Sequence, residues 1–173
     1  MGIAPAKLYV VDLGGRAVVR ITGRANCLSS VPFKRVINGL IERGRAVFTL
    51  DLSDCQLMDS TFLGVLVGLN RTLGQAGPDG GFSLYKPTEP VRVLLDNLGI
   101  LDLFSTAESL GQAETAEPVE VGEASDKTEL TRTSLEAHRT LIDANPGNEA
   151  KFKEVTRFLE EDLRRQEAAG SSD

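Results

Sequence analysis

The segment LDLSDCQLMDSTFLGVLVGL, residues 50–69, joins a buried strand to an amphipathic helix through a short loop. A strand is predicted over Ala46–Leu52, because this dense apolar run is bounded by charged and turn-forming residues, as in a strand at the centre of a sheet. Asp51 is expected at its exposed end. The helix is predicted over Phe62–Ala76, where leucines follow Phe62 at i+4, i+7 and i+11 and form one apolar face. This strand-to-helix step indicates an α/β fold.

Strands and helices alternate on both sides of this step. Gly14-Gly15 between two strand-like runs predicts an antiparallel hairpin. The predicted elements are strands at Lys7–Leu13, Ala17–Ile21 and Phe82–Tyr85, helices at about Ser30–Arg43 and Thr88–Leu98 with Thr88 as N-cap, and a short strand or turn at Leu101–Phe104. With right-handed crossovers, this order predicts a two-layer α/β sandwich: a mixed four- or five-stranded sheet with helices mainly on one face.

The sequence predicts one domain over residues 1–111, a flexible linker over 112–128 and an acidic helical tail over 129–173. The linker is rich in Glu, Ala and Thr and poor in large apolar side chains, so it cannot offset the entropy cost of ordering. Glu129–Ala144 and Asn145–Gln166 read as two amphipathic helices that form a hairpin. The tail is expected to dock on the sheet, to mediate self-association, or to recruit a second protein through Phe152, Val155, Leu159 and Leu163. Alternatively, it only covers apolar surface on its own domain.

Charge and composition narrow the classes of function. The formal charge is −6, and residues 116–173 account for all of it, with 14 acidic and 8 basic side chains against 11 of each in residues 1–115. The absence of a basic excess argues against nucleic-acid binding and favours a protein partner. No signal peptide and no run of about 20 apolar residues is present, so we expect a cytoplasmic protein without a membrane span. Cys27 and Cys55 lie among apolar neighbours and are expected to be reduced thiols.

Two adjacent hydroxyls, Ser60 and Thr61, open the predicted helix directly after Asp59. The first turn of a helix has unpaired N–H groups and the positive end of the macrodipole, so a phosphate is stabilised there. Phosphorylation would add about −1.5 to −2 charges. Alternatively, Asp59 or Ser60 serves only as an N-cap. Gly64 and Gly68 share one helical face and are expected to allow close packing against the sheet.

Catalysis and metal binding are weakly supported by the residues present. His138, the one histidine, lies in the tail, away from other candidate acids and bases, and is expected to be exposed or packed. Asp51, Asp54 and Asp59 are expected to be solvated or to cap backbone groups, since carboxylates at a strand end and a helix start commonly do so. The sequence predicts no metal and no cofactor. A nucleotide or small-anion sensor that uses the same helix start is a further alternative.

The segment resembles the signature of STAS domains, the sulfate-transporter and anti-sigma-antagonist family: a strand ending in L-D-L-S, then a helix start of the type Asp-Ser-Ser/Thr-Gly-Leu-Gly, here DSTFLG. The resemblance covers about residues 5–110, with the early strand Val-Val-Arg-Ile-Thr-Gly and the late helix Pro90–Leu98 followed by Gly99-Ile100. Two positions depart from the family pattern. Phe62 stands where a glycine is usual, and Asn26 stands near the position where many relatives carry an aspartate.

The resemblance implies a non-enzymatic anti-sigma factor antagonist. Unphosphorylated, such a protein binds a serine/threonine kinase anti-sigma factor and frees the sigma factor; phosphorylated, it releases that partner, and a phosphatase is a further candidate partner. Alignment through Gly64 places Thr61 on the phosphorylated hydroxyl, although some relatives are modified at the position of Ser60. Partner contacts are implied for Asp59, Phe62, Leu63 and Asn26. The alternative is a constitutive docking subunit of a transporter ATPase.

Overall fold

The computed structural model describes residues 2–114, 119–121 and 126–171. In these residues the strands are β1 (Lys7–Asp12), β2 (Ala17–Ala25), β3 (Val47–Asp51), β4 (Cys55–Met58), β5 (Gly81–Tyr85), β6 (Ser105–Ala107) and β7 (Val119–Glu120). The helices are α1 (Cys27–Glu42), α2 (Ser60–Gly74), α3 (Glu89–Asn97), α4 (Lys127–Ala144) and α5 (Glu149–Gly170). The α/β class and the helical tail are as predicted.

The strands form one mixed sheet in the order β6-β5-β3-β2-β1-β7, and β4 pairs with β2 off this path. β1 is antiparallel to β2 and β7, whereas β2, β3, β5 and β6 run parallel. The predicted hairpin of the first two strands is therefore present, with Leu8 opposite Ile21. Among the described residues, seven strands replace the predicted four or five, because β4 and β7 are short segments whose pairing partners lie far away in sequence.

The core lies between the sheet and helices α1 and α2. The ring centroid of Phe33 in α1 lies 4.8 Å from that of Phe62 in α2 and 6.2 Å from that of Phe82 in β5. The ring centroids of Phe82 and Phe48 in β3 are 5.6 Å apart, and all three ring pairs are tilted. Aromatic pairs at these separations contribute beyond their buried area. Phe62 is thus a core residue that ties α2 to the sheet and to α1.

Several local predictions need correction. α1 starts at Cys27 rather than Ser30, because Asn26 forms a capping box with Ser29. Thr88 is the N-cap residue of α3, as predicted, but its hydroxyl donates to the carbonyl of Cys55 and makes no capping hydrogen bond. Asp51 is buried rather than exposed, since its carboxylate accepts hydrogen bonds from the amide and hydroxyl of Ser53. Leu101–Leu103 is a 3₁₀ turn that leads into β6.

The predicted linker is partly ordered. A 3₁₀ turn covers Gly111–Glu114, and β7 adds to the edge of the sheet beside Tyr9 and Val10. The rest of the predicted linker up to α4, residues 115–118 and 122–125, lies outside the described residues. None of the described helices combines the length and apolar composition that a membrane crossing requires.

Helices α4 and α5 form the predicted antiparallel hairpin. Arg132 pairs with Glu167 at 3.0 Å, Arg139 pairs with Glu160, and Gln166 donates to the hydroxyl of Thr131 at 3.0 Å. The hairpin does not lie on the sheet. It packs against the helices, with α4 along α2 and beside α1.

Candidate functional site

Asp59 joins the beginnings of two helices. It is the N-cap of α2, where its Oδ1 accepts a hydrogen bond from the N–H of Phe62 at 2.8 Å, and its Oδ2 accepts one from the N–H of Cys27 in α1 at 3.0 Å. The N–H of Asp59 donates to the carbonyl of Ala25 at 2.9 Å. A single carboxylate therefore holds the N-termini of α1 and α2 side by side.

Burial dominates the electrostatics of this carboxylate. Desolvation raises the pKa of Asp59, although its backbone hydrogen bonds from Phe62 and Cys27 and the nearby His138 act in the opposite direction. Burial, and then the charge of Asp59, raise the pKa of the neighbouring Cys27 thiol. Burial also raises the pKa of Cys55 to about 11. Both thiols are free and neutral at physiological pH.

Ser60 opens α2, and its hydroxyl lies 2.8 Å from Nε2 of His138 in α4. The other imidazole nitrogen, Nδ1, lies 2.7 Å from the carbonyl of Ser134. Because a carbonyl oxygen only accepts, Nδ1 carries the proton, and in the neutral ring Nε2 accepts the hydrogen bond from Ser60. His138 is buried and packs edge-on to Phe152 of α5 at 5.0 Å.

Thr61 follows Ser60 and faces the same helix. Its hydroxyl lies 2.8 Å from the hydroxyl of Ser134, and the residue is only 5% exposed. Both hydroxyls at the start of α2 are thus engaged by side chains of α4. In this arrangement the Thr61 hydroxyl is closed to a macromolecule, whereas Ser60 is half-buried.

Glycine at position 64 permits the close contact between α2 and α4. A Cβ at Gly64 would lie 2.2 Å from the carbonyl oxygen of Ala137, a distance that backbone atoms do not tolerate. A Cβ at Gly68 would meet only the Thr140 side chain at 3.8 Å. The expected close packing of these glycines is therefore present, but it is directed at α4 and not at the sheet.

The structure separates the other predicted site residues into two groups. Phe62 and Leu63 have no exposed surface, so in this arrangement they do not contact a partner directly and instead anchor α2 in the core. Asn26 lies beside Asp59 on the surface, where its side chain accepts hydrogen bonds from the N–H groups of Leu28 and Ser29. Asp54 forms a separate ion pair with Arg20 at the surface.

Sequence reasoning missed Ser134 and His138. His138 was expected to be exposed or packed, and it is packed, but its hydrogen bond to Ser60 was not predicted. The available signal was the spacing of Ser134, Ala137, His138 and Leu141, which places small, polar and apolar side chains on one face of α4. Nothing in that spacing names the start of α2 as the surface that it meets.

Comparison with known proteins identifies the first part of the chain. A family model described as the STAS domain matches residues 9–113. A comparison with curated proteins by sequence gives no match. The match to the family model ends before α4, so the hairpin lies outside it.

Three solved structures share the fold. The anti-sigma factor antagonist SpoIIAA in its unphosphorylated form has a TM-score of 0.53 and 18% identity, covering 59% of this chain and 89% of that chain. An anti-sigma factor antagonist from Mycobacterium paratuberculosis has a TM-score of 0.53 and 21% identity, covering 64% and 92%. The Bacillus cell fate determinant SpoIIAA in the phosphorylated form has a TM-score of 0.51 and 17% identity, covering 62% and 96%. Since the family model spans more than half of the sequence, this chain belongs to the STAS domain family.

Proposed function

We propose that this protein is a non-enzymatic, cytoplasmic anti-sigma factor antagonist that acts by partner switching. Its partner is a serine/threonine kinase that serves as an anti-sigma factor. The unphosphorylated chain binds this kinase and frees the sigma factor. Phosphorylation of Thr61 or Ser60 ends that interaction, and a phosphatase restores the binding form.

One observation carries the proposal: two hydroxyls occupy the first two positions of α2, directly after the capping Asp59. The positive end of the helix dipole favours a phosphoryl group there. The position lies within the family match, and SpoIIAA, which shares the fold, has been described in both an unphosphorylated and a phosphorylated form.

The same geometry supports a change in partner affinity. A phosphoryl group brings about −1.5 to −2 charges next to the carboxylate of Asp59. Two or three charge-assisted hydrogen bonds formed or broken at an interface amount to a few kcal/mol, about a hundredfold in affinity. We propose Asp59 and Asn26 as direct partner contacts, while Phe62 and Leu63 act by fixing the position of α2.

Mass spectrometry of the protein recovered from its native cells tests the proposal. Peptide mapping before and after phosphatase treatment is expected to locate phosphate on Thr61 or Ser60. The double variant Ser60→Ala/Thr61→Ala is expected to lose it. Thr72→Ala, which removes an exposed hydroxyl near the other end of α2, serves as the matched control and keeps the phosphate. Protein without phosphate at either position under all growth conditions would contradict the proposal.

A further inference from the structure

The α4–α5 hairpin covers the two hydroxyls that the proposed function requires. Ser60 is bonded to His138 and Thr61 to Ser134, and Gly64 allows the α4 backbone to lie directly on α2. A kinase must bring the γ-phosphoryl group of ATP in line with the hydroxyl oxygen. In the closed arrangement α4 fills that approach at Thr61, which is 5% exposed, so the hairpin must move before Thr61 is modified.

Charge complementarity holds the hairpin on this surface. Three cations of the STAS domain pair with three carboxylates of α4: Lys34 with Glu136 at 3.2 Å, Arg35 with Glu129, and Arg71 with Asp143 at 3.0 Å. These pairs are partly exposed, so each contributes little to stability and is screened by salt. They orient α4 between α1 and α2 without fixing it there strongly.

The apolar and turn contacts lie towards the other end of α4. Leu141 has no exposed surface and belongs to the main core. At the hairpin turn, the side chains of Asn145 and Asn148 both donate to the carbonyl of Leu98, at 3.1 and 3.0 Å. Lys151 donates to the carbonyl of Asn97 at 2.8 Å. The part of α4 over Ser60 and Thr61 combines the hydrogen bonds of Ser134 and His138, which water can replace, with the buried Leu135 and Ala137.

We propose that α4 occupies, within the chain, the surface on which the kinase partner docks, so that hairpin and kinase compete for the start of α2. This inference rests on the proposed function and adds a way in which the hairpin controls access of the kinase to α2. Because only the open form binds, an open fraction of about one in a hundred weakens the apparent affinity about a hundredfold. Whatever opens the hairpin of the unphosphorylated chain therefore strengthens partner binding by the same factor, whereas on the phosphorylated chain the phosphoryl group itself prevents binding.

Phosphorylation of Thr61 keeps the hairpin open. In the transfer, Thr61 Oγ forms a bond to the γ-phosphorus of ATP, the bond to the bridging oxygen breaks, ADP leaves, and the hydroxyl proton passes to a base of the kinase. In the closed form Thr61 is 5% exposed and its oxygen lies 2.8 Å from Ser134 Oγ, which leaves no room for the phosphoryl group. The modified chain cannot close again until a phosphatase acts.

Two glycine substitutions in the full-length chain test this competition. Gly64→Ala drives a methyl group into the Ala137 backbone and is expected to displace α4. Gly68→Ala makes the same change one helical turn later, where the methyl group meets only the Thr140 side chain at ordinary contact distance. Hydrogen exchange measures the opening, and peptide mapping of protein from native cells measures the phosphate on Ser60 and Thr61.

The expected result is that the α4 amides of Gly64→Ala exchange about tenfold faster or more than those of Gly68→Ala and wild type, with β3 and β5 unchanged. Its phosphate occupancy should rise in parallel. Leu141→Asp, which removes an apolar anchor of α4 without substituting any residue of the STAS domain, is a second opening variant if Gly64→Ala fails to fold.

The outcomes separate the inference from the proposed function. An open hairpin with unchanged, measurable phosphate occupancy overturns the competition and leaves the proposed function standing. Unchanged exchange in both opening variants overturns the competition as well, because α4 would not be displaced by losing its contacts. No phosphate on any chain, open or closed, contradicts the proposed function itself, and the inference falls with it.

Discussion

Replacing Asp59 with alanine removes one carboxylate from the starts of two helices. The N–H groups of Phe62 and Cys27, at 2.8 and 3.0 Å from its oxygens, both lose their acceptor. Loss of a cap costs about 1 kcal/mol, so two capped amides amount to about 2 kcal/mol. Burial of the charged carboxylate, which raises the pKa of Asp59, offsets part of the stabilisation that these two hydrogen bonds provide. The expected net loss is therefore about 1–2 kcal/mol.

Urea unfolding followed by circular dichroism measures this loss. For a chain of this length, each kcal/mol corresponds to about 2–4 °C in Tm, so a thermal scan should show a fall of about 2–8 °C. Asp59→Asn keeps one acceptor oxygen and is expected to lose less than alanine. Asp79→Ala, in an exposed turn, is the control and should stay within about 0.5 kcal/mol of wild type. If Asp59→Ala also stays within that range, the double-capping argument is refuted.

Three further predictions concern pH, the core and the hairpin turn. Because burial raises the pKa of Asp59, the folded chain binds a proton there more tightly than the unfolded chain, so protonation adds stability that is complete below the unfolded pKa and is lost as pH rises through the folded pKa. The stability of wild type relative to Asp59→Asn, measured in urea titrations, should therefore fall as pH rises from below the ordinary value of 3.8 through the raised folded value, and a constant difference would contradict it. Phe62→Ala should cost about 3–5 kcal/mol, whereas Phe158→Ala, 61% exposed, should change the unfolding free energy by less than about 0.5 kcal/mol. Gly99→Ala and Gly44→Ala both force alanine to positive φ, but only at Gly99 does the new methyl group meet Asn145, at 2.3 Å. Gly99→Ala should therefore lower the unfolding free energy by about 1 kcal/mol more than Gly44→Ala, and equal unfolding free energies would show that the Asn145 contact does not matter.

The sequence was sufficient to predict those helices and strands whose apolar residues recur in a pattern that marks the buried face. The α2 pattern beginning at Phe62 and the dense apolar run of β3 each specify one element and its buried side. The start of α2 was also predictable, because Asp59, Ser60 and Thr61 are residues that favour helix starts. Local chemistry and burial act together in these segments, so pattern and structure agree.

Other features depend on contacts between distant residues. Cys55–Met58 is only four residues long and becomes strand β4 because it meets the far end of β2, a pairing that no local pattern encodes. The amphipathic pattern of α4 predicts a helix with one packed face but does not specify which surface receives it. The docking of α4 on α2 places His138 against Ser60 and directs Gly64 towards α4. Neither contact could be predicted from the sequence, because the receiving surface is not encoded in the pattern of α4.

The closed hairpin also distinguishes the two hydroxyls at the start of α2. The N–H of Phe62 is already occupied by Asp59, so a phosphoryl group on either residue gains the helix dipole but not that hydrogen bond. On Ser60, which is only half-buried, it would lie beside the imidazole of His138. On Thr61 it would face the hydroxyl of Ser134, which supplies no charge, at a position without space. Modification of Thr61 therefore must act by opening the hairpin, because the closed chain has no space for a phosphoryl group at that position.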